Sequence, residues 1–268
     1  MQALERIECG WCNSQSPTGA TSCRSCGAPL DVKNLVSDSG WREAPRLRDM
    51  TRVHFGHSTC QVEGEIVPAF EVSLAAGESV YFEHHVLLWK EERVATKVRF
   101  GGAMKRLLAG MPLVITYATG PGRVAFSRDA TGELVLMPLH PGQELDVREH
   151  AFVLASRAID YSYVRIKGLR NILFGGQGMF MDRFVATAAP GLLVLHGYGN
   201  VFERRLTAGE SVLVEPGAFL YKDASVTMQV EMQRLSTGFF GGIGMSLARM
   251  TGPGRLGIQS MYHHHHTG

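Results

Sequence analysis

Four cysteines with the spacing of metal ligands lie near the N-terminus of this sequence. Cys9, Cys12, Cys23 and Cys26 form two CxxC pairs, and ten residues separate the pairs. Two residues between thiolates let both sulfurs of a tight turn face one ion, and two such turns complete the tetrahedral four-sulfur shell that zinc prefers. So short a segment has no apolar core, so the metal must supply most of its folding energy. The spacing predicts a structural zinc ribbon over residues 1–30.

The composition of the whole chain limits the other classes of protein. With 268 residues, 45% of them hydrophobic, the chain can bury a substantial core. Its net charge of +2 does not indicate a protein that binds polyanions. The first residues lack the basic start and apolar centre of a signal peptide, which predicts a cytoplasmic protein. In that compartment CxxC pairs indicate a metal rather than disulfides, with a redox dithiol pair or an iron–sulfur site as alternatives.

The predicted ribbon has little charge with which to bind nucleic acid. Between Cys9 and Cys26 the only charged residue is Arg24, so nucleic acid is an unlikely partner. Trp11 stands beside the first cysteine pair, where it could contact a protein partner or cover the metal site. We interpret the ribbon as a small adaptor that packs on the main domain or is tethered to it. Residues 31–50 are polar, mixed in charge and without periodicity, which predicts a linker.

The remainder of the sequence repeats one pattern three times. LAAGESVYFEHHVLLW from Leu74 matches LTAGESVLVEPGAFLY from Leu206 at an offset of 132 residues. Between them, LHPGQELDVREHAFVLA from Leu139 has the same glycine, followed three residues later by an apolar residue. Each copy continues into a phenylalanine followed by two glycines, and then into a Pro-Gly turn. We therefore expect a repeat of about 65 residues, present three times between Phe70 and Tyr262.

The local periodicity within the copies is that of β-strands. In VTMQVEMQRL from Val226 apolar and polar residues alternate. Glycine and proline interrupt such runs every 8 to 12 residues, and no segment has a sustained helical period. We predict an all-β domain over residues 51–262, a sandwich or roll with quasi-threefold order. The tail, residues 263–268, has four histidines that are either native or part of an affinity tag.

Several of these motifs together resemble the altered-inheritance-of-mitochondria (mitochondrial biogenesis) family. The resemblance rests on HFGHSTCQVEGEIVPAFEVSLAAGESVYFEHHVLLW, the glycine-pair loops and the TGPGR turns, and it covers about residues 51–262. The family is similar in fold to the tryptophan RNA-binding attenuation protein, whose short β-sandwich units assemble into rings. The resemblance therefore implies a β fold and a homotrimer to which the ribbon is an addition. It implies no reaction.

Two groups of residues could in principle support catalysis. A cupin-like metalloenzyme needs an HxH pair, whereas His84 and His85 are adjacent and, on the strand we expect, would face opposite sides. His54, His57 and Cys60 could form a Cys–His nucleophile, but no feature of the sequence supplies an oxyanion site. Nucleotide-binding and hydrolase motifs do not occur. We therefore expect a protein that is not an enzyme.

Three functions follow from these features. The first is a non-catalytic oligomeric scaffold or adaptor whose ribbon contacts a protein partner. The alternative is a membrane-surface or lipid-associated protein, because the glycine-pair loops place apolar residues beside basic ones; the same residues could instead fill the core. An RNA-binding ring is less favoured because the chain is nearly neutral. The candidate surface residues in these loops are Met104, Lys105, Arg106, Met179, Phe180, Arg183 and Met245.

Overall fold

The protein folds almost entirely into antiparallel β-strands, so the all-β prediction is confirmed. In the described residues the helical elements are two 3-10 turns, His84–Val86 and Pro216–Ala218. The structure is a computed structural model, and the residues that it describes are 6–9, 14–17, 20–27, 30, 35–37, 39–44, 50, 52–99, 115–165, 180–235 and 243–261. The histidine-rich tail lies outside these residues.

The chain divides into two compact units. One, which we call the ribbon unit, combines Met1–Ala44 with Asn200–Gly268, and the other, the central unit, is Pro45–Gly199. The cysteine-containing segment thus belongs to the same unit as the third copy of the repeat. The first two copies make up most of the central unit.

The strands are numbered in chain order. The first strands of the ribbon unit are β1 (Arg6–Glu8), β2 (Gln15–Pro17), β3 (Leu35–Val36) and β4 (Arg42–Glu43). Those of the central unit are β5 (Arg52–Phe55), β6 (Ser58–Glu63), β7 (Ala69–Leu74), β8 (Ser79–Glu83), β9 (Leu87–Lys90), β10 (Ala95–Arg99), β11 (Ile115–Thr119), β12 (Gly122–Ser127), β13 (Gly132–Leu139), β14 (Glu144–Arg148), β15 (Phe152–Ser156), β16 (Ile159–Arg165), β17 (Phe180–Ala186) and β18 (Gly191–Tyr198). The ribbon unit then continues with β19 (Val201–Leu206), β20 (Ser211–Val214), β21 (Phe219–Asp223), β22 (Thr227–Leu235), β23 (Ile243–Thr251) and β24 (Gly254–Gln259).

The central unit is built around an apolar core between its sheets. One sheet has the order β5-β6-β7-β12-β9 and another β10-β11-β8-β15-β18-β13, while β17 pairs with both β14 and β16. On β7 alternate residues Phe70, Val72 and Leu74 are buried, as a strand with one covered face requires. The rings of Phe82 and Phe126 pack with their centroids 4.7 Å apart in this core.

The ribbon unit contains the sheet β21-β24-β19-β4-β3-β1-β2 and the smaller sheet β20-β23-β22. Strand β4 pairs with β19, and β3 pairs with both β1 and β4. Both strands lie within residues 31–50, for which the sequence predicts a linker. Each is two residues long, which is too short to produce a detectable alternation in the sequence.

Strand pairing follows the same pattern in each of the three copies. In the first copy β12 pairs with β7 and β9, and β11 pairs with β8 and β10. In the second, β18 pairs with β13 and β15, and β17 with β14 and β16. In the third, β24 pairs with β19 and β21, and β23 with β20 and β22. A quasi-threefold arrangement about one axis stays a prediction.

Candidate metal centre

Three of the four predicted zinc ligands lie together. The sulfur atoms of Cys9, Cys23 and Cys26 are all within 4.8 Å of one another, and those of Cys9 and Cys26 are 3.5 Å apart. A disulfide would need about 2.05 Å, whereas 3.5 Å suits two thiolates that share one ion at about 2.3 Å each. Cys12 and Trp11 lie outside the described residues. The cluster could hold a metal ion.

Local backbone hydrogen bonds bring the cysteines together. Cys9 directly follows β1, and its amide donates to the carbonyl of Ser14 at 2.9 Å, which closes the first turn. The amide of Gly27 donates to the carbonyl of Cys23 at 2.9 Å, with Gly27 at a φ of 74°, a conformation that favours glycine. The amide of Ser25 points at the Cys23 sulfur from 3.4 Å. Such a second-layer hydrogen bond orients a sulfur that serves as a metal ligand.

An arginine joins the cysteine segment to the third copy of the repeat. Arg42 on β4 donates to the carboxylate of Glu8 at 2.5 Å and to that of Glu203 at 2.6 Å. Glu203 is buried, and its second oxygen accepts a hydrogen bond from the hydroxyl of Tyr221 at 2.8 Å. Burial, together with the charge of Glu203, raises the pKa of Tyr221 well above its usual value. Removing one partner from a buried pair of this kind is strongly destabilising, so Arg42 holds the segment on the sheet.

A groove of about 500 Å³ lies beside this arginine. Trp41, Phe202 and Ile258 form most of its apolar wall, and Arg42 and Glu43 contribute charged groups. Its volume is in the range of small-ligand sites. The sequence offered no sign of the groove or of the pair formed by Arg42 and Glu203, because partners 161 residues apart leave no spacing pattern.

The histidine pair of the first copy adopts a conformation that we did not expect. His84 and His85 lie in a 3-10 turn rather than a strand, which leaves both exposed and buries Val86 behind them. Nε2 of His85 is 3.2 Å from the carboxylate of Glu83 and 3.3 Å from the guanidinium of Arg128. Partial burial and the charge of Arg128 lower the pKa of His85. His85 thus belongs to an ionic group rather than to a two-histidine metal site.

A second histidine of the central unit is buried near the same arginine. His196 on β18 is almost fully covered, and this burial, helped by the charge of Arg128, lowers its pKa to about 4. Its imidazole is therefore neutral at physiological pH. In the part of the chain that the structure describes, the cysteine cluster is the group of three or more metal-binding side chains that comes together.

The possible nucleophile Cys60 is a buried residue of β6. Its thiol donates to the carbonyl of Val53 at 3.6 Å, and burial raises its pKa to about 12. The thiol is protonated at neutral pH and lacks the thiolate that nucleophilic attack requires. His54 and His57 are exposed.

Most of the residues proposed for a membrane or partner surface lie outside the part of the chain that the structure describes. Met104, Lys105, Arg106 and Met179 lie outside the described residues, as do the side chains of Phe180 on β17 and Met245 on β23. Arg183 is half-buried, and its guanidinium donates to the buried carboxylate of Asp146 at 2.6 and 3.0 Å. It therefore has an internal partner. No helix within the described ranges has the length and hydropathy to cross a membrane.

Comparisons with known proteins agree with the strand pattern. An X-ray crystal structure of protein SPYM3_0169 from Streptococcus pyogenes is similar to this chain with a TM-score of 0.58 and 20% sequence identity. The match covers 76% of this chain and 94% of that one, and at this identity it concerns the fold alone. No curated protein matches the sequence. The model of the family described as mitochondrial biogenesis AIM24 matches residues 60–261, which confirms the family resemblance: the chain belongs to the AIM24 family.

Proposed function

We propose that the protein is a non-catalytic oligomeric scaffold or adaptor whose N-terminal ribbon is held by a structural zinc ion. One observation carries this proposal: the cysteine cluster lies on a segment that continues, through β3 and β4, into the sheet of the third copy. A module fixed in this way can present a partner surface in a constant orientation on a larger frame.

Zinc is the ion that best suits these ligands. Four cysteines in two CxxC pairs are a closed, all-sulfur set, and closed sets are typical of structural rather than catalytic zinc sites. Cys12 would complete the shell begun by Cys9, Cys23 and Cys26. Among the described residues up to position 44, the buried apolar side chains other than cysteine are Ile7, Val36 and Ala44, so the ion would replace an apolar core. Iron bound by the same four sulfurs is the competing possibility.

The chemistry of the central unit supports a role without catalysis. The Cys60 thiol is protonated, and Glu83 and Arg128 lie 3.7 Å apart as a buried ion pair that His85 also contacts. Groups bound to one another in this way are not poised to react with a substrate.

We further propose a cytoplasmic location and a homotrimer. The membrane-surface alternative is weaker, because the guanidinium of Arg183 is paired with Asp146 and is not a free cation.

Metal analysis of wild-type and variant proteins tests the zinc site. We expect about one zinc per chain in freshly purified, reduced protein. Cys23→Ser should lose the metal while the central unit keeps its strand signal in circular dichroism, since that unit has its own core. Cys60→Ala, which removes a cysteine outside the cluster, is the matched control and should keep the metal. Iron in place of zinc, or no metal in the wild type, would reject the assignment.

Affinity capture from native cells tests the adaptor role. Wild-type protein and Cys23→Ser protein, both carrying the same affinity tag, should differ in one or more captured proteins. A variant with Trp41→Ala would tell whether the groove takes part in that contact. Capture of lipid instead of protein, equal in wild type and Cys23→Ser, would favour the membrane-surface alternative and count against the adaptor.

A further inference from the structure

One strand of the first copy leaves apolar side chains uncovered that its counterparts bury. On β9 the exposed fractions are 37% for Leu87, 56% for Leu88 and 41% for Trp89. The corresponding residues lie 65 and 132 positions later in the sequence. All six have an exposed fraction of 0%: Phe152, Val153, Leu154, Phe219, Leu220 and Tyr221. The equivalent strands β15 and β21 are therefore interior strands, whereas β9 is uncovered.

A second uncovered strand lies in the third copy. Leu213 on β20 is 39% exposed, whereas its counterparts Tyr81 on β8 and Asp146 on β14 are buried. Within the described residues β20 is the outer strand of its sheet, paired only with β23, and β9 is likewise an outer strand, paired only with β12. Both strands thus offer an unpaired backbone edge together with apolar side chains.

The chain itself contains an example of how these two kinds of strand pair. Strand β8 of the first copy pairs with β15 of the second in antiparallel register. Tyr81 lies opposite Ala155, with Phe82 opposite Leu154 and Val80 opposite Ser156. Strand β20 is the counterpart of β8, and β9 is the counterpart of β15. The two uncovered strands therefore correspond to the two strands of a pairing that the chain already contains.

We propose that β20 of one chain pairs with β9 of a second copy of this chain, in the register of β8 and β15. This register places Leu213 opposite Lys90 of the partner chain and Val214 opposite Trp89. The contact would satisfy both backbone edges and cover the uncovered side chains, which is how sheet proteins avoid uncontrolled edge pairing. The inference deepens the homotrimer of the proposed function and does not depend on the zinc site.

Such a contact is compatible with the proposed homotrimer. Strands β9 and β20 are different surfaces, so each chain offers one edge to each of two neighbours. A head-to-tail contact of this kind forms a closed ring or an open fibre. A ring of three chains uses every β9 and every β20, leaving none of these edges exposed.

A pair of charge variants at one position tests both the interface and its register. Leu213→Lys should place a positive charge opposite Lys90, and the mass in solution should fall to that of one chain, 29.4 kDa. Leu213→Glu makes the same loss of apolar surface but faces Lys90 with the opposite charge, so it should retain the assembly. Val98→Lys, at another exposed strand position, is the control and should leave the mass unchanged.

Restoring the charge pair completes the test. Adding Lys90→Glu to Leu213→Lys should recover the wild-type mass, whereas Lys90→Glu with Leu213→Glu should be monomeric. Equal effects of lysine and glutamate at position 213 would reject the register. A trimer that survives all these changes would reject this interface but keep the homotrimer, and a monomeric wild type would reject both.

Mixed cysteine variants provide an independent measurement. Lys90→Cys protein mixed with Leu213→Cys protein should form a disulfide-linked dimer under mild oxidation, with the linked peptides identified by mass spectrometry. Val98→Cys mixed with Leu213→Cys should not. Failure of the first pair to cross-link, or a link formed only within single chains of a double variant, would overturn the proposal.

Discussion

Strands β9 and β21 occupy the same place in the first and third copies, yet one is largely uncovered and the other is fully buried. Both pair with the last strand of their copy, and both shift register at the same point, where Phe126 faces Leu87 and Ile258 faces Phe219. Phe219, Leu220 and Tyr221 of β21 are 0% exposed, while Leu88 of β9 is 56% exposed. Similar sequence and the same pairing with the last strand of the copy therefore do not fix burial.

The reason lies in where the covering groups come from. The pairing with the last strand of the copy comes from within that copy, so it is the same for β9 and β21. The groups that cover a strand come from other copies or other chains, and these differ along the chain. A comparison of matched variants in the two copies measures this difference directly.

The largest contrast is expected when the same residue type is shortened in both strands. Leu220→Ala should lower the free energy of unfolding by about 2–5 kcal/mol, because it empties a buried site. Leu88→Ala should change it by no more than about 0.5 kcal/mol. Denaturant titrations in a Leu213→Lys background would measure both without a contribution from assembly. Similar losses in the two variants would contradict the burial difference.

The next difference between the copies concerns the protonation of the buried His196 and its effect on stability. Burial lowers the pKa of His196 from 6.5 to about 4, so below pH 6.5 the unfolded chain binds a proton that the folded chain does not. Stability is therefore complete above pH 6.5 and is lost as the pH falls toward 4, by about 2 kcal/mol between pH 6.5 and 5. Denaturant titrations across this range would measure the loss.

The third copy provides the matched variant for this test. Gln259 is buried at the position of His196, since Leu154 faces Val194 and Tyr221 faces Gly257 in the two strand pairs. His196→Gln should therefore fold and remove this part of the pH dependence. An unchanged slope between pH 6.5 and 5 would show that His196 is accessible to protons in the folded protein.

A smaller difference in stability is expected between variants of Tyr221 and of Trp89, its counterpart in the first copy. Tyr221→Phe removes the hydrogen bond to the buried carboxylate of Glu203 and should cost about 1.5–3 kcal/mol. Trp89→Phe should cost far less, because the side chain is partly exposed. Thermal or denaturant unfolding would rank the two, and a larger loss for Trp89→Phe would reverse the comparison.

The smallest effects should be equal in all three copies. Gly77, Gly142 and Gly209 have φ values of 79°, 84° and 79°, and a Cβ at each would have no atom within 4 Å. Alanine should therefore meet only backbone strain, about 1 kcal/mol in each copy. Unequal losses would mean that even the turns depend on their surroundings.

The candidate metal site was only partly predictable. Cys9, Cys23 and Cys26 were identified because ligand spacing is a local property that the sequence displays directly. Arg42 and Glu203 were missed because two residues far apart in sequence meet only in the folded sheet. For the same reason, nothing in the sequence indicated the two-residue strands β3 and β4 within the predicted linker.

By itself the sequence determined the local features: strand periodicity, the glycine turns, the repeat and the paired cysteines. These depend on interactions within a few residues of the chain, so they are legible in its order. Only the tertiary structure decided that His196 is buried and that β9 and β20 are left uncovered. Burial depends on which distant segments come together, and three similar copies can have three different surroundings.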